Sequence, residues 1–387
     1  MRPTLFLAIA LSGCASEMVS VDVTGDGGNA YAAWEDAQGR RLEAFDWGAG
    51  ARNQVVDYVF VVDNSVSMRS VIGKVRKGFE SLDTDAFPPE TRIAVLSTLP
   101  ADPDDLSRLH NAVPPKVLRH DAGFGHFVSA KTIRRAKRVK RLASSYPMEG
   151  CGDDGWFRPG ETNAAGESCL VAHTQSTLMV AETEAGLTAF KQLLQRNEGQ
   201  LTFRPGAAVN VVFVSDTHDP GVGARVAGDL LTDRPTAEEL IELVDRDNVI
   251  SSLRFHAIAP EVECVERWFH LGASYFDVAD ATGGATIDMC TAEDYRPILD
   301  QLFDDGARPI KPVFALGSKA QSVESVTVDG IDTPFTVHPS GRVVQVDLPD
   351  APASAVGSTE PAQTVEVHYQ RTAKIQRLPG PQRAMQR

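Results

Sequence analysis

The chain has 387 residues, of which 42% are hydrophobic, and its 38 Lys and Arg against 52 Asp and Glu give a formal net charge of −14. The hydrophobic content is ordinary for a globular protein, and the length predicts two or three domains, or one large α/β domain with an appendage. The acidic balance argues against a nucleic-acid-binding protein, because a polyanion would be repelled over most of the surface. No apolar run reaches the roughly 18 residues of a membrane-spanning helix.

The first residues have the layout of an export signal. A single arginine precedes a short apolar run from Leu5 to Leu11, and small residues follow. Positions 11–14 read Leu-Ser-Gly-Cys, which resembles a bacterial lipobox. The resemblance implies a signal peptide over residues 1–13 and a lipid-modified Cys14 that anchors the chain to a membrane. Ala15 favours the outer membrane, with the protein facing the periplasm or the cell surface; a plain signal peptide is the alternative.

The remaining cysteines fall into two local groups, Cys151 with Cys169 and Cys264 with Cys290. Disulfides persist in exported proteins, and four cysteines allow three connectivities. We expect the local pairing, because each group brackets one loop region. A zinc site is disfavoured, since no CxxC motif occurs and no histidine lies at ligand spacing near either group.

Apolar runs alternate with helical patterns over residues 54–305. The runs at 55–62, 92–99, 208–214 and 253–259 read as buried strands, and helices are predicted near 68–82, 178–195, 236–247 and 293–303. This alternation predicts one α/β domain with a doubly wound, mostly parallel sheet that is covered on both faces.

The segments on either side of this domain have a different character. Residues 14–53 are rich in Gly, Ala, Asp and Asn and read as a tether. Short alternating segments after Pro309, with turns at Asp329-Gly330 and Ser340-Gly341, predict a small antiparallel β module over residues 308–370. Residues 371–387 contain no acidic residue and two prolines, and we predict a flexible tail.

A candidate metal site follows the first strand of the α/β domain. Asp63, Ser65 and Ser67 form an Asp-x-Ser-x-Ser motif directly after the strand and directly before a helix. This arrangement resembles the von Willebrand factor A family, also called integrin I-like, and its metal-ion-dependent adhesion site. Carboxylate and hydroxyl oxygens are hard ligands that suit Mg²⁺ above all, and also Mn²⁺ or Ca²⁺. The structural alternative is that Asp63, and Asp216 in a later loop, merely cap helices.

The resemblance extends to two further loops. The family places a threonine before a helix in its second loop, and Thr177 is our choice, with Thr174 and Thr183 as alternatives. The third loop contributes an aspartate after a strand, which Asp216 matches, although the family often has Asp-Gly there. Asp219 is then either an extra ligand or a residue that shapes the surface.

The resemblance implies a membrane-anchored protein that binds a divalent cation. A carboxylate of a protein ligand would complete the coordination shell of that cation. A structural scaffold of the cell envelope, with the metal only stabilising loops, is the alternative. A serine hydrolase that uses Ser65 or Ser67 with His218 is a third hypothesis. We expect no enzyme, because HExxH, Walker A and GxSxG motifs are all missing.

One basic stretch, Lys131 to Arg141, stands out in this acidic chain because it contains no acidic residue. It reads as a solvated helix face or as a surface for an anionic lipid or acidic partner.

Overall fold

A computed structural model describes the chain in several ranges. These are residues 19–20, 32–36, 38–47, 55–63, 68–83, 87–98, 150–152, 155–175, 185–197, 202–217, 219, 234–261, 272–308, 310–339, 341–349 and 363–372.

The helices and strands within these ranges are, in chain order, β1 (Val19–Ser20), β2 (Ala32–Glu35), β3 (Arg40–Trp47), β4 (Val55–Val62), α1 (Arg69–Glu80), β5 (Glu90–Ser97), β6 (Trp156–Phe157), α2 (Cys169–Gln175), α3 (Gly186–Arg196), β7 (Ala208–Val214), α4 (Ala237–Asp247), β8 (Ser252–Ala259), α5 (Ala273–Ala281), β9 (Thr286–Asp288), α6 (Arg296–Gly306), β10 (Val313–Ala315), β11 (Ala320–Val328), β12 (Ile331–Asp332), β13 (Phe335–Val337), β14 (Val343–Val346) and β15 (Gln363–Arg371).

The central sheet is mixed and has the order β6-β5-β4-β7-β8-β9. Strands β5, β4, β7, β8 and β9 are parallel, and β6 pairs antiparallel with β5 at one edge. The first strand of the sheet along the chain, β4, therefore lies in the middle, between the second and the fourth. The order changes direction between β4 and β7, and this point decides where the candidate site lies.

Both faces of this sheet are buried, as the continuous apolar runs predict. Every residue of β4, β7 and β8 is buried. Alternate β4 residues point to opposite faces: Tyr58 and Phe60 pack on one side with α1, α2 and α6, and Val59 and Val61 pack on the other with α3, α4 and α5. The chain is thus a mixed α/β protein with helices on both faces of its largest parallel region.

The β module differs from the sequence prediction at its N-terminal side. The composition of residues 14–53 predicts a tether, but β2 and β3 belong to the six-stranded antiparallel sheet β1-β2-β3-β15-β11-β12. Phe45 and Trp47 of β3 are buried in its core, and the rings of Phe45 and Phe314 lie 5.0 Å apart. Burial of these aromatic side chains holds the segment in the module.

The rest of the module consists of antiparallel strands, as predicted. A second, three-stranded sheet has the order β10-β14-β13, and its Val344 and Val346 share one core with Val326 and Val367 of the larger sheet. The short alternating segments predicted after Pro309 are found in β11, β13, β14 and β15. Because β2 and β3 also belong to the module, it is larger than expected and is built from both ends of the described chain.

The helices also show local differences from the predictions. The single helix expected near 178–195 is described as α3, which begins only at Gly186, and α2 precedes it at Cys169–Gln175. Helix α4 begins where expected, because the Thr236 hydroxyl accepts a hydrogen bond from the Glu239 N–H at 3.2 Å. No helix in the described part of the chain is long and apolar enough to cross a membrane.

Candidate cation site at the ends of the central strands

Asp63 lies immediately after β4, at the carboxyl end of the central strand. Its N–H donates to the Val214 carbonyl at 2.8 Å, which continues the pairing of β4 with β7 by one residue. The side chain is fully buried. The sheet therefore fixes the backbone of Asp63 before the chain turns towards α1.

Ser215 and Asp216 follow β7 in the same way. The Ser215 N–H donates to the Ile258 carbonyl at 3.2 Å, and its hydroxyl donates to Oδ2 of Asp63 at 2.9 Å. Asp216 is only 3% exposed. The two aspartates predicted as ligands are thus brought to the ends of neighbouring strands, and one serine, which no sequence motif indicates, joins them.

This position is the one at which open parallel sheets bind ligands. The carboxyl ends of β4 and β7 flank the point where the strand order changes direction, and crevices form outside the sheet at such points. The end of β5 and the start of α3 lie alongside, since the Ala185 N–H donates to the Thr98 carbonyl at 3.0 Å and the Thr98 N–H to the Val62 carbonyl at 3.2 Å.

Of the three threonines considered, the structure describes only Thr174. It lies inside α2, is 3% exposed, and its hydroxyl donates to the carbonyls of Leu170 and Val171 at 3.0 Å each. This is a bond within its own helix, so Thr174 is held as a helix residue. Several predicted residues lie outside the described ranges: Cys14, Ser65, Ser67, Thr177, Thr183, His218, Cys264 and the stretch Lys131 to Arg141.

Hydrogen bonds link the loop after β7 to α3 and α5 near the candidate site. Oδ2 of Asp219 accepts the Thr188 N–H at 3.0 Å, and the Asp219 N–H donates to the Ser274 hydroxyl at 3.0 Å. The phenol oxygen of Tyr275 accepts the Gly186 N–H at 3.1 Å. These contacts join elements far apart in the chain, so no local pattern predicts Thr188 or Ser274.

The charges at this end of the sheet act on the tyrosine. Burial raises the pKa of the Tyr275 phenol well above its ordinary value, and the negative charges of Asp219 and Asp63 raise it further. Tyr275 therefore stays neutral. The buried phenol thus lies within the electrostatic influence of both carboxylates, and a poorly solvated region with negative charge is an environment that favours a cation.

Another buried aspartate, Asp57, lies towards the opposite end of β4 and has a different role. Asp57 accepts two hydrogen bonds from Arg92, both at 2.8 Å, and one from the Arg204 Nε at 2.9 Å. Burial alone would raise the pKa of Asp57, but the positive charges of the two arginines outweigh it and lower that pKa. The guanidinium of Arg92 also stacks 3.8 Å from the centre of the Trp156 ring. The positive charges that surround Asp57 are therefore supplied by the protein's own arginines.

Other possible functional groups in the described residues are clusters of metal-ligating side chains and the cysteines. In the ranges that the structure describes, no group of three or more His, Cys, Asp or Glu is placed to hold a metal ion by itself. Cys151 and Cys169 form a disulfide with Cα atoms 5.5 Å apart, which is the pairing expected from the sequence. Cys290 is also disulfide-bonded, to a partner outside the described ranges, where Cys14 and Cys264 both fall.

Comparisons with known proteins give little beyond this geometry. No protein-family model matches the chain, and no curated protein matches it. Among solved structures, it is similar to the pilus adhesin SpaC from Lactobacillus rhamnosus GG in its open conformation. The similarity covers 94% of this chain and 43% of the adhesin, with 10% sequence identity and a TM-score of 0.33. A second crystal form of the same adhesin is 10% identical over 92% of this chain and 42% of the adhesin, with a TM-score of 0.35.

The human COPII-coat protein Sec24c gives 10% identity, coverage of 86% of this chain and 42% of that protein, and a TM-score of 0.31. The chain thus spans less than half the length of each of these structures. Similarities at such TM-scores do not indicate a function for this chain.

Proposed function

We propose that this protein binds a divalent cation at the ends of β4 and β7 and, through the cation, a carboxylate of a protein ligand. Asp63, Ser65, Ser67, Thr177 and Asp216 are the proposed ligands, and Mg²⁺ is the proposed cation, with Mn²⁺ or Ca²⁺ as substitutes. The proposed setting is an exported lipoprotein that is anchored through Cys14. In this proposal residues 54–305 form a domain of the von Willebrand factor A type and act in adhesion rather than catalysis.

One observation carries the proposal. Two buried aspartates lie at the carboxyl ends of two neighbouring central strands, at the point where the strand order changes direction. Numbered along the chain within their sheet, the strands have the order 3-2-1-4-5-6, which is also the strand order of many doubly wound sheets, although strand 3 is here the two-residue antiparallel β6. Asp63 follows strand 1 and Asp216 follows strand 4. The proposed cation site therefore coincides with the crevice that this order creates.

The chemistry of the side chains fits such a cation. Asp63 and Asp216 supply hard anionic oxygens, and the hydroxyl-rich segment after Asp63 supplies neutral ones. Taking two carboxylates out of water is costly unless a positive charge compensates them. At the other end of β4 the guanidinium groups of Arg92 and Arg204 supply positive charge to Asp57, and we propose that a bound divalent cation supplies positive charge near Asp63 and Asp216.

The residues around the site would orient the ligands. Ser215 donates to one carboxylate oxygen of Asp63 at 2.9 Å, which fixes the plane of the carboxylate that would face the cation. A bound divalent cation supplies an electrophilic centre for an anionic oxygen. With few carboxylates as direct ligands, such a centre keeps affinity for the acidic side chain of a partner.

Calorimetric titration with Mn²⁺ tests the cation site. Asp63→Ala and Asp216→Ala are each expected to abolish binding, because each removes an anionic ligand. Asp277→Ala is the matched control: this aspartate is 70% exposed on α5, and its loss should leave binding unchanged. Full Mn²⁺ affinity in Asp63→Ala would refute the site.

A pull-down from an envelope extract, with and without chelator, tests the adhesive role. We expect capture of a protein partner that is lost with chelator and lost in Asp63→Ala. Capture that survives both changes would favour the scaffold role. Covalent labelling of the protein by a serine-reactive probe would instead favour the hydrolase hypothesis.

A further inference from the structure

We infer that Asp219 is a positioning residue for the cation site and not one of its ligands: it holds the loop that bears Asp216 by capping α3. This inference rests on the proposed function for its link to the cation. The contacts that support it involve only residues that the structure describes.

The first argument is the unusual start of α3. A helix begins with N–H groups that have no partner inside the helix, and a side chain at the N-cap normally accepts one of them. The N-cap of α3 is Ala185, which makes no side-chain hydrogen bond of this kind. The donors of the first turn are served from elsewhere in the fold, the Gly186 N–H by Tyr275 and the Thr188 N–H by Asp219.

The second argument is that the Asp219 carboxylate is directed at Thr188. Oδ2 lies 3.0 Å from the Thr188 nitrogen and Oδ1 lies 3.5 Å from its hydroxyl oxygen. Asp219 is 1% exposed and Thr188 is 4% exposed. Each carboxylate oxygen of Asp219 therefore makes a contact with Thr188 of α3, as in a capping interaction.

The third argument is that the backbone of Asp219 is fixed as firmly as its side chain. Its N–H donates to the Ser274 hydroxyl at 3.0 Å, at the start of α5. At the other end of the short loop, the Thr217 N–H donates to the Ser215 hydroxyl at 3.3 Å, and the same hydroxyl donates to Asp63. The segment that carries Asp216 is thus held at Ser215 by the central strands and at Asp219 by two helices.

Tight packing on the Tyr275 side completes this clamp. A Cβ atom at Gly186 would lie 2.9 Å from the Tyr275 hydroxyl oxygen, so only glycine lets the helix start come this close to the phenol. Tyr275 itself is fully buried. Because α3 and α5 pack closely at this point, the two helices that hold Asp219 support each other, and Asp219 can set the position of Asp216.

The test compares Asp219→Asn with Asp219→Ala in the whole protein. Asparagine keeps an oxygen for the Thr188 N–H and an amide group that can donate to its hydroxyl, whereas alanine removes both contacts. Residues that support metal ligands typically contribute about 10–100-fold to metal affinity. We expect Asp219→Asn to bind Mn²⁺ within about threefold of the wild type, and Asp219→Ala to bind about 10–100-fold more weakly.

Hydrogen exchange, measured without any cation, gives the second readout. The amides of Thr188 and of residues 215–219 are expected to exchange faster in Asp219→Ala and at the wild-type rate in Asp219→Asn. Asp277→Asn, an equal charge change on the exposed side of α5, serves as the control for both measurements.

Two results would overturn the inference. If Asp219→Asn loses Mn²⁺ binding as completely as Asp63→Ala while its exchange is unchanged, Asp219 is a ligand. If Asp219→Ala exchanges and binds as the wild type does, Asp219 positions nothing.

If the wild type binds no Mn²⁺, the proposed function fails, and the exchange rates still decide whether Asp219 holds the loop. If Asp219→Ala does not fold, the affinity of Asp219→Asn decides between ligand and positioning residue.

Discussion

Two buried histidines should make the protein sensitive to mild acid. His173 on α2 is fully buried beside the Phe157 ring, with ring centres 4.5 Å apart, and neither of its nitrogens has a hydrogen-bond partner among the described residues. Burial lowers the pKa of His173 to about 3. His256 on β8 is also buried, and burial together with the charge of Arg254 lowers its pKa to about 3.

The hydrogen bonds of His256 explain why its neutral form is held. Its Nδ1 accepts the Ala285 N–H at 2.9 Å, so the proton sits on Nε2, which lies 3.1 Å from the side-chain oxygen of Asn210. A proton on Nδ1 would remove an acceptor that the Ala285 amide needs. Protonation of either histidine is therefore opposed in the folded state and free in the unfolded state.

The sign and size of the effect follow from linkage. Both folded pKa values lie below the ordinary 6.5, so the stability that the neutral histidines contribute is present above pH 6.5 and is lost progressively between pH 6.5 and about 3. The slope is about 1.4 kcal/mol per pH unit for each proton bound on unfolding. From pH 7.5 to 5.5 each histidine should cost about 1.4 kcal/mol of unfolding free energy, and the pair about 3 kcal/mol.

Urea denaturation at a series of pH values measures this loss, and His173→Leu isolates half of it. The variant keeps an apolar side chain in the same pocket but cannot bind the proton. The difference between the two proteins should change by about 1.4 kcal/mol from pH 7.5 to 5.5, because every other titrating group cancels. A difference that stays constant across this range would refute the assignment of a buried, neutral His173.

Three further predictions concern the stability of the fold. Asp57→Ala should lower the free energy of unfolding by about 3–5 kcal/mol in urea denaturation, because it removes the fully buried carboxylate to which the partly buried guanidinium groups of Arg92 and Arg204 are paired; a loss below about 1 kcal/mol would show that water and the remaining partners compensate them. Gly284→Ala should lower the melting temperature, because its Cβ would collide with the Phe255 carbonyl oxygen, and an unchanged melting temperature would contradict that close approach. Removing the Cys151–Cys169 disulfide by a double alanine substitution should cost about 3 kcal/mol, and equal stability of the two proteins under oxidising conditions would contradict this.

The central sheet could be predicted well because its signal is local. A strand buried on both faces has to be apolar throughout, and the runs at 55–62 and 208–214 coincide with β4 and β7. The positions of Asp63 and Asp216 then follow, since the carboxyl ends of parallel strands lie at one edge of the sheet. Geometry of this kind needs no knowledge of long-range contacts.

The features that the sequence does not predict depend on contacts between distant parts of the chain. Strand β3 has the composition of a tether, its partner β15 lies at the other end of the described chain, and the short segment alone has too little periodicity to indicate a strand. The bond between Asp219 and Thr188 likewise joins the loop after β7 to the first turn of α3 through the tertiary fold. The sequence can suggest that Asp219 has a role, but not which one.

The pairing of β3 with β15 also has a consequence for how the protein is made. Leu42 pairs with His368, and the Tyr369 hydroxyl donates to the buried Glu43 carboxylate at 2.8 Å. During synthesis β3 appears early and has to wait for nearly the whole chain before this partner exists, whereas the central sheet between them can form in the meantime. Because β15 lies between β3 and β11, the six-stranded sheet cannot be completed before β15 exists, and a chain cut short before it would leave the edge of β3 open to aggregation.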